Sequence, residues 1–336
     1  MTDFLISSLS GEQPRITVEV IDEDGRLRPA SHVDLDGGPG PLAVSPDGRQ
    51  LYACVTVDGA HLARSYTIDD DGTLTQTGQT DMGASACQMS TDRTGRFLLA
   101  AYYSDGMVTV DPIDAGTLGG ARTQQVPTDQ CAHYIQTDAS NRFAFVPHVA
   151  EANTVFQFHF DARTGQLTPN DPPRVSPGPG EGPRHLCFHP SGRYAFTDGE
   201  QGSSVTVWDV DETAGTLTPR QTLPTLPADF TDTNHCSQIH LTPNGRFLYA
   251  GNRGHHSIAG YRVAEDGSLE AASRTPADPN PRPMAISPDS RFLYAAGSTT
   301  DGRLIAWPID STSGELGAPT YYDCGPVYWV TACRRD

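Results

Sequence analysis

One turn signature returns six times along this chain and constrains its fold more than any other feature. It reads SPDGRQLYA at 45–53, DRTGRFLLA at 92–100, DASNRFAFV at 138–146, HPSGRYAFT at 189–197, TPNGRFLYA at 242–250 and SPDSRFLYA at 287–295. The turn arginines fall at 49, 96, 142, 193, 246 and 291, at successive spacings of 47, 46, 51, 53 and 45 residues. That period suits a four-stranded propeller blade and is too long for a leucine-rich or ankyrin repeat.

Within each period the same order recurs. An inner strand precedes the turn (PLAVSP, HLCFHP, QIHLTP, PMAISP) and a second comes after it (RQLYACV, RFLYAG, RFLYAAG). A third alternates apolar and polar residues (ARSYTID, VTVWDVD, IAGYRVA, LIAWPID), and a Gly-Thr-Leu or Gly-Ser-Leu turn then opens a fourth. Inner strands apolar at consecutive positions fit burial on both faces, whereas alternating outer strands fit half-exposure. Six hairpins leave both chain ends over. FLISSL, RITVEVID and LRPASHVDL read as strands two, three and four of a blade, and GPVYWVTA near the C-terminus as its missing first strand. The expectation is an all-β, seven-bladed propeller spanning 1–336 as a single domain, its last blade closed by both termini so that no strand edge stays open. The widest spacing, between Arg193 and Arg246, places extra residues in TLPADFTDTNHCSQIH, a connection that should form part of a pocket wall.

Composition narrows the function. The 33 glycines and 27 prolines are spread evenly, as frequent turns require, and no long amphipathic helical pattern occurs. A net charge of −18 argues against a nucleic-acid or anionic-membrane surface. All 23 basic residues are arginine, so lysine nucleophiles and Schiff bases are excluded. Seven scattered cysteines without a CxxC pair read as reduced core residues. No signal peptide or membrane span is evident, and a cytoplasmic location is expected.

The stretch GPRHLCFHPSGRYAFTDGE (182–200) carries charge at both outer ends of a hairpin, which brings Arg184, His185 and Glu200 to one rim of a sheet. Strand alternation places His185 on the opposite face from Arg184, where it would support the site or pack within the blade. Arg282, in NPRPMAI, holds the pre-strand position equivalent to Arg184. The histidines at 235, 240, 255 and 256 raise a second possibility, a metal site in the channel. Their spacing matches no recognised zinc pattern, and a bend is expected between His235 and His240, so the expectation is no metal and no cofactor.

The repeat, with GPRHLCFHP, DFTDTNHCSQIHLTPNGRFLYAGNRGHHSI and NPRPMAISPD, resembles the seven-bladed lactonase propellers. That family includes cycloisomerase-type 6-phosphogluconolactonases and fungal 3-carboxy-cis,cis-muconate lactonising enzymes. The resemblance implies a metal-independent hydrolase of an anionic, phosphorylated sugar lactone. It points to His133, Arg184, Glu200 and Arg253 as the catalytic set, with His185, His235, His240 and Arg282 around the substrate. The alternatives are a cyclase or lactonase for another acidic ring, or a non-catalytic binding platform. Departures from the family pattern at Gly199, His235, His148 and Asn153 surround the expected pocket. The turn arginines recur in every repeat and read as structural.

Overall fold

The residue before each Pro-x-Gly-Arg turn does the same task throughout: its side chain accepts the amides that the turn leaves unpaired. Ser45 Oγ takes the N–H groups of Arg49 and Gln50, Asp92 Oδ1 those of Arg96 and Phe97, and Ser287 Oγ those of Arg291 and Phe292. The turn needs a left-handed residue, supplied by Gly48 (φ 69°) in the first repeat and by Asn141 (φ 58°) in the third.

The arginine and aromatic residue that close the turn lock one blade to the next. Each turn guanidinium lies over the aromatic ring after it, as Arg142 does over Phe143 at 5.2 Å. It also donates to a carbonyl of the next blade's outermost turn: Arg142 to Glu212 at 2.6 Å, Arg246 to Ser311 at 2.8 Å. The rings of Phe97, Phe143, Tyr194, Phe247 and Phe292 are seated on glycines of that same turn, Gly165, Gly215, Gly267, Gly314 and Gly25, where a Cβ would overlap the ring. The recurring arginine, aromatic and glycine are thus one inter-blade joint, repeated.

A computed structural model describes residues 1–297 and 302–335. These form seven antiparallel sheets; six have four strands, and the second splits its outer edge between Thr117–Leu118 and Gln124–Pro127. We number the blades from the sheet beginning at Gly38–Val44. Blade seven joins Val327–Arg335 to Thr2–Leu9, in register from Thr2↔Arg335 to Leu9↔Val327, and continues through Arg15–Ile21 and Leu27–Asp34. Arg334 pairs both carboxylate oxygens of Asp3 across this seam, at 2.7 and 2.8 Å. The expected fold and its closure by both termini are therefore observed. The apolar core is divided into clusters between neighbouring blades, one holding Phe97, Leu99, Val146 and Phe158, another Tyr194, Phe196, Leu248 and Tyr261. Among the described residues no helix is long and apolar enough to cross a membrane. The innermost strands surround a central channel with two mouths, one at the arginine turns and one at the strand ends that carry Glu200 and Arg253.

Candidate active site

A β-bulge sets the site. In blade four, Pro183 faces Gly199 and the register then slips, so that Leu186 faces Thr197. Arg184 and His185 together oppose Asp198, whose Oδ1 accepts the His185 N–H at 2.8 Å. A bulge re-aims side chains that strict alternation would send to opposite faces. Both residues are in fact buried at the channel, with 2% and 3% exposure. This corrects the expectation that His185 turns away from Arg184. Blades one, five and six slip at the same point, and blade three does so between Ala132↔His148 and Gln136↔Phe145. Aligned through these slips, His133, Arg184 and Arg282 occupy one position in blades three, four and six.

A second ring comes from the exit of strand two. Tyr103, Glu200 and Arg253 each begin the four-residue turn after that strand in blades two, four and five. Glu200 is fixed through its backbone, its N–H on Gly182 O at 2.8 Å and its carbonyl taking the Cys236 N–H at 3.3 Å. Its carboxylate then stands 3.0 Å from Arg184 Nε and 3.0 Å from Arg253 Nη2. Arg184 Nε approaches as a charge and is not aligned as a hydrogen-bond donor. Arg253 Nη2 also donates to Cys236 O at 2.7 Å. Burial, then the neighbouring Arg253 charge, pull the Arg184 guanidinium down to about 10, which leaves it charged at neutral pH.

His133 is buried beside this cluster. Burial first, then the charges of Arg184, Arg282 and Arg253, hold its imidazole well below the usual 6.5, so it is neutral at pH 7. Its Nδ1 is buried without a hydrogen-bond partner, and the Tyr103 ring meets it edge-on at 5.8 Å. Asp198 is pushed up to about 6 by burial. A neutral imidazole next to clamped guanidinium groups can take a proton from water while the arginines hold an anion or a developing oxyanion.

The four residues expected to carry catalysis, His133, Arg184, Glu200 and Arg253, therefore converge. Arg282 joins them, its guanidinium over Tyr328 at 5.3 Å and its charge felt at His133. His235 lies exposed at the rim, in register with Arg253. His240 does not belong to the cluster. No bend separates it from His235: one strand, His235–Leu241, carries it toward the other mouth. There it lines a cavity of about 470 Å³ and donates from Nε2 to Gln238 Oε1 at 3.1 Å. Among the described residues, no group of three His, Cys, Asp or Glu side chains is placed to hold a metal ion.

The positions that depart from the family pattern have structural tasks. His148 is fully buried, donating to Val146 O at 2.9 Å and taking the Thr128 hydroxyl at 3.0 Å. Asn153 holds the loop before Arg184 through Gly178 O and Gly182 N–H. Gly199 faces Glu181, whose carboxylate accepts from Ser204 Oγ, and a Cβ there would press on both. The long connection before blade five does reach the site: Asn234 bonds Asn252 and the His255 N–H on either side of Arg253, and Phe230 packs on His255 at 4.8 Å. Sequence reasoning does not find Tyr103, Asp198 or Glu181. Aligning the strand-two exits would have found Tyr103.

The family description "Lactonase, 7-bladed beta-propeller" matches residues 4–330. The chain belongs to the seven-bladed β-propeller lactonase family. It is 34% identical over 329 residues to a 6-phosphogluconolactonase of Pectobacterium carotovorum subsp. carotovorum, covering 97% of this chain and 98% of that protein. A 6-phosphogluconolactonase of Yersinia pestis is 35% identical over 324 residues, 96% of each chain. Among solved structures, the periplasmic gluconolactonase PpgL of Pseudomonas aeruginosa superposes with a TM-score of 0.91 at 27% identity, over 100% of both chains. This lactonase is thus built on the family's fold over its whole length.

Proposed function

We propose that this lactonase hydrolyses 6-phosphogluconolactone, as its curated relatives are named to do, and that it does so in the cytoplasm. The observation that carries this reading is the charge at the mouth: three arginines, 184, 253 and 282, against one ion-paired glutamate, in a protein of net charge −18. Such a local reversal of sign selects an anionic substrate. Seven free cysteines are in keeping with a reducing compartment. In this reading His133 takes the proton of the attacking water and returns it to the ring oxygen as the ester opens. Glu200, ion-paired on both oxygens, acts as the clamp that aligns Arg184 and Arg253. The guanidinium groups hold the phosphate and the tetrahedral oxyanion, each donor to the oxyanion worth about 2.7–4 kcal/mol.

The likeness to a gluconolactonase favours a second reading, an unphosphorylated aldonolactone. Hydrolysis of freshly generated 6-phosphogluconolactone and of glucono-1,5-lactone, each corrected for spontaneous opening, decides between them. A kcat/KM higher for the phosphorylated lactone, and lost in Arg184→Ala, supports the first. No acceleration of the phosphorylated lactone removes it.

A further inference from the structure

His185 is the one channel group for which the proposed chemistry has no use. Its equivalents in blades two and five are Gln88 and Gln238, whose side-chain carbonyls accept the Ile135 and Met284 N–H groups at 2.8 Å and tie each inner strand to the next. The imidazole of His185 makes no such tie: its Nε2 is buried with no hydrogen-bond partner. The same holds for Nδ1 of His133, whose ring centre lies 5.3 Å away, for Nη1 of Arg184 and for Oδ2 of Asp198. Each unpaired buried group costs about 1–3 kcal/mol, so several around one point mark a seat for a polar molecule. The cavity from the turn face reaches this point. His185 lies on its wall with Gln88, Tyr134, Gln238, His240 and Trp329, whereas His133, Arg184 and Arg253 do not. His185 thus stands between the arginine mouth and the opposite end of the channel.

We propose that the nucleophilic water of the lactonase is held between His133 Nδ1 and His185 Nε2 and is supplied from the turn-face cavity, while the lactone enters by the arginine mouth. This rests on His133 being the base. An anion seated on three arginines covers that mouth, so a water consumed in each turnover needs another way in. The water donates one hydrogen to His133 Nδ1, and His185 fixes its oxygen toward the carbonyl carbon. The new C–O bond forms as the proton passes to Nδ1. The ring C–O bond then breaks, and its alkoxide takes that proton back. The sum is lactone plus water giving the open hydroxy acid. His185 is here a positioning residue for the water.

A crystal structure of the substrate-free protein tests the seat whatever the lactone proves to be. An ordered water about 2.7–3.2 Å from both nitrogens is expected, and a dry gap between the two rings overturns the proposal. In turnover, His185→Phe keeps a ring against Tyr134 and Trp329, 4.8 and 6.1 Å away by ring centres. It should lower kcat by about tenfold or more, with KM and product affinity within about twofold and the melting temperature unchanged. His185→Gln, which can still bond a water, should recover most of that loss. Thr331→Trp, across the cavity wall, should lower kcat alone. Full kcat in His185→Phe, or a fall in affinity without one in kcat, overturns the supply route. Full activity in His133→Gln would instead sink the base assignment beneath it, a failure told apart because the ordered water would remain.

Discussion

Arg184 Nε stands 3.0 Å from Glu200 Oε2, and the arginine side chain is only 2% exposed against 17% for the glutamate. The more deeply buried partner is the cation, so the glutamate's main effect is to neutralise a charge that water cannot reach. Glu200→Ala should therefore cost about 3 kcal/mol of stability, the low end for breaking a buried pair because Glu200 keeps some solvent. Removing both charges, in Glu200→Ala with Arg184→Met, should restore much of it. Urea denaturation of the four proteins in this cycle measures the coupling, and strict additivity would dismiss the clamp.

The pH profile is set by His133. A base must be unprotonated to accept, and His133 is unprotonated above a pKa depressed below 6.5 by burial and by Arg184, Arg282 and Arg253. The acid limb of kcat/KM is expected below pH 6.5, with a flat region above it. Arg282→Met removes one depressing charge and should move that limb to higher pH. A limb that stays put, or one above 6.5 in the wild type, would exclude His133 as the base. His133→Gln should lower kcat by about 10²–10⁴ with a small change in KM.

Glu19, in blade seven, gives a separate prediction for stability. Burial pushes its carboxyl from 4.5 up to about 7, and its Oε2 has no hydrogen-bond partner. Between those values the folded chain keeps a proton that the unfolded chain has lost, so stability falls as pH rises from 4.5 to 7. Glu19→Gln should abolish that part of the slope and raise the melting temperature at pH 8, with little effect at pH 4. Thermal melts across this range test it, and equal gains at both ends would show another cause.

The joint between blades makes Gly215 irreplaceable. Its φ is 69° and a Cβ there would overlap the Phe143 ring. Gly215→Ala should cost about 1–3 kcal/mol from overpacking, with added backbone strain. Gly59, with φ 83° and open space around it, isolates the strain alone, so Gly59→Ala should cost less. Equal losses at the two sites would mean that the ring contact contributes nothing.

Much of this was legible because a repeat reports its own geometry. Six turns at blade spacing implied six hairpins, and the leftover ends could pair only with each other. The site was less legible where it breaks the repeat's local rule. Period-two reasoning sent Arg184 and His185 to opposite faces, and one extra residue in the bulge returned both to the channel. His240 read as a neighbour of Arg253 because it lies five residues beyond His235. In an extended strand that interval is about 16 Å, the length of the channel wall. Tyr103 was hidden because its chemistry differs from that of Glu200 and Arg253 while its position is the same. Ion pairs across blades, such as Glu200 with Arg253, depend on ring closure and carry no local signature.

Closure itself can be tested at the seam. The strand Val327–Arg335 contributes the whole inner edge of blade seven, pairing Thr2–Leu9 along its length and bringing Val330 and Cys333 into the apolar clusters on either side. Removing residues 326–336 would expose the Thr2–Leu9 edge and uncover both clusters at once. Because each blade is held by joints to two neighbours, loss of one inner strand should not stay local. The truncated chain is expected to lose its cooperative melt and to aggregate through the open edge. Adding the missing segment as a separate peptide should restore a cooperative transition whose midpoint rises with peptide concentration, since the peptide binds only the folded ring. A truncated chain that melts cooperatively without the peptide would show that the other six blades close without this strand.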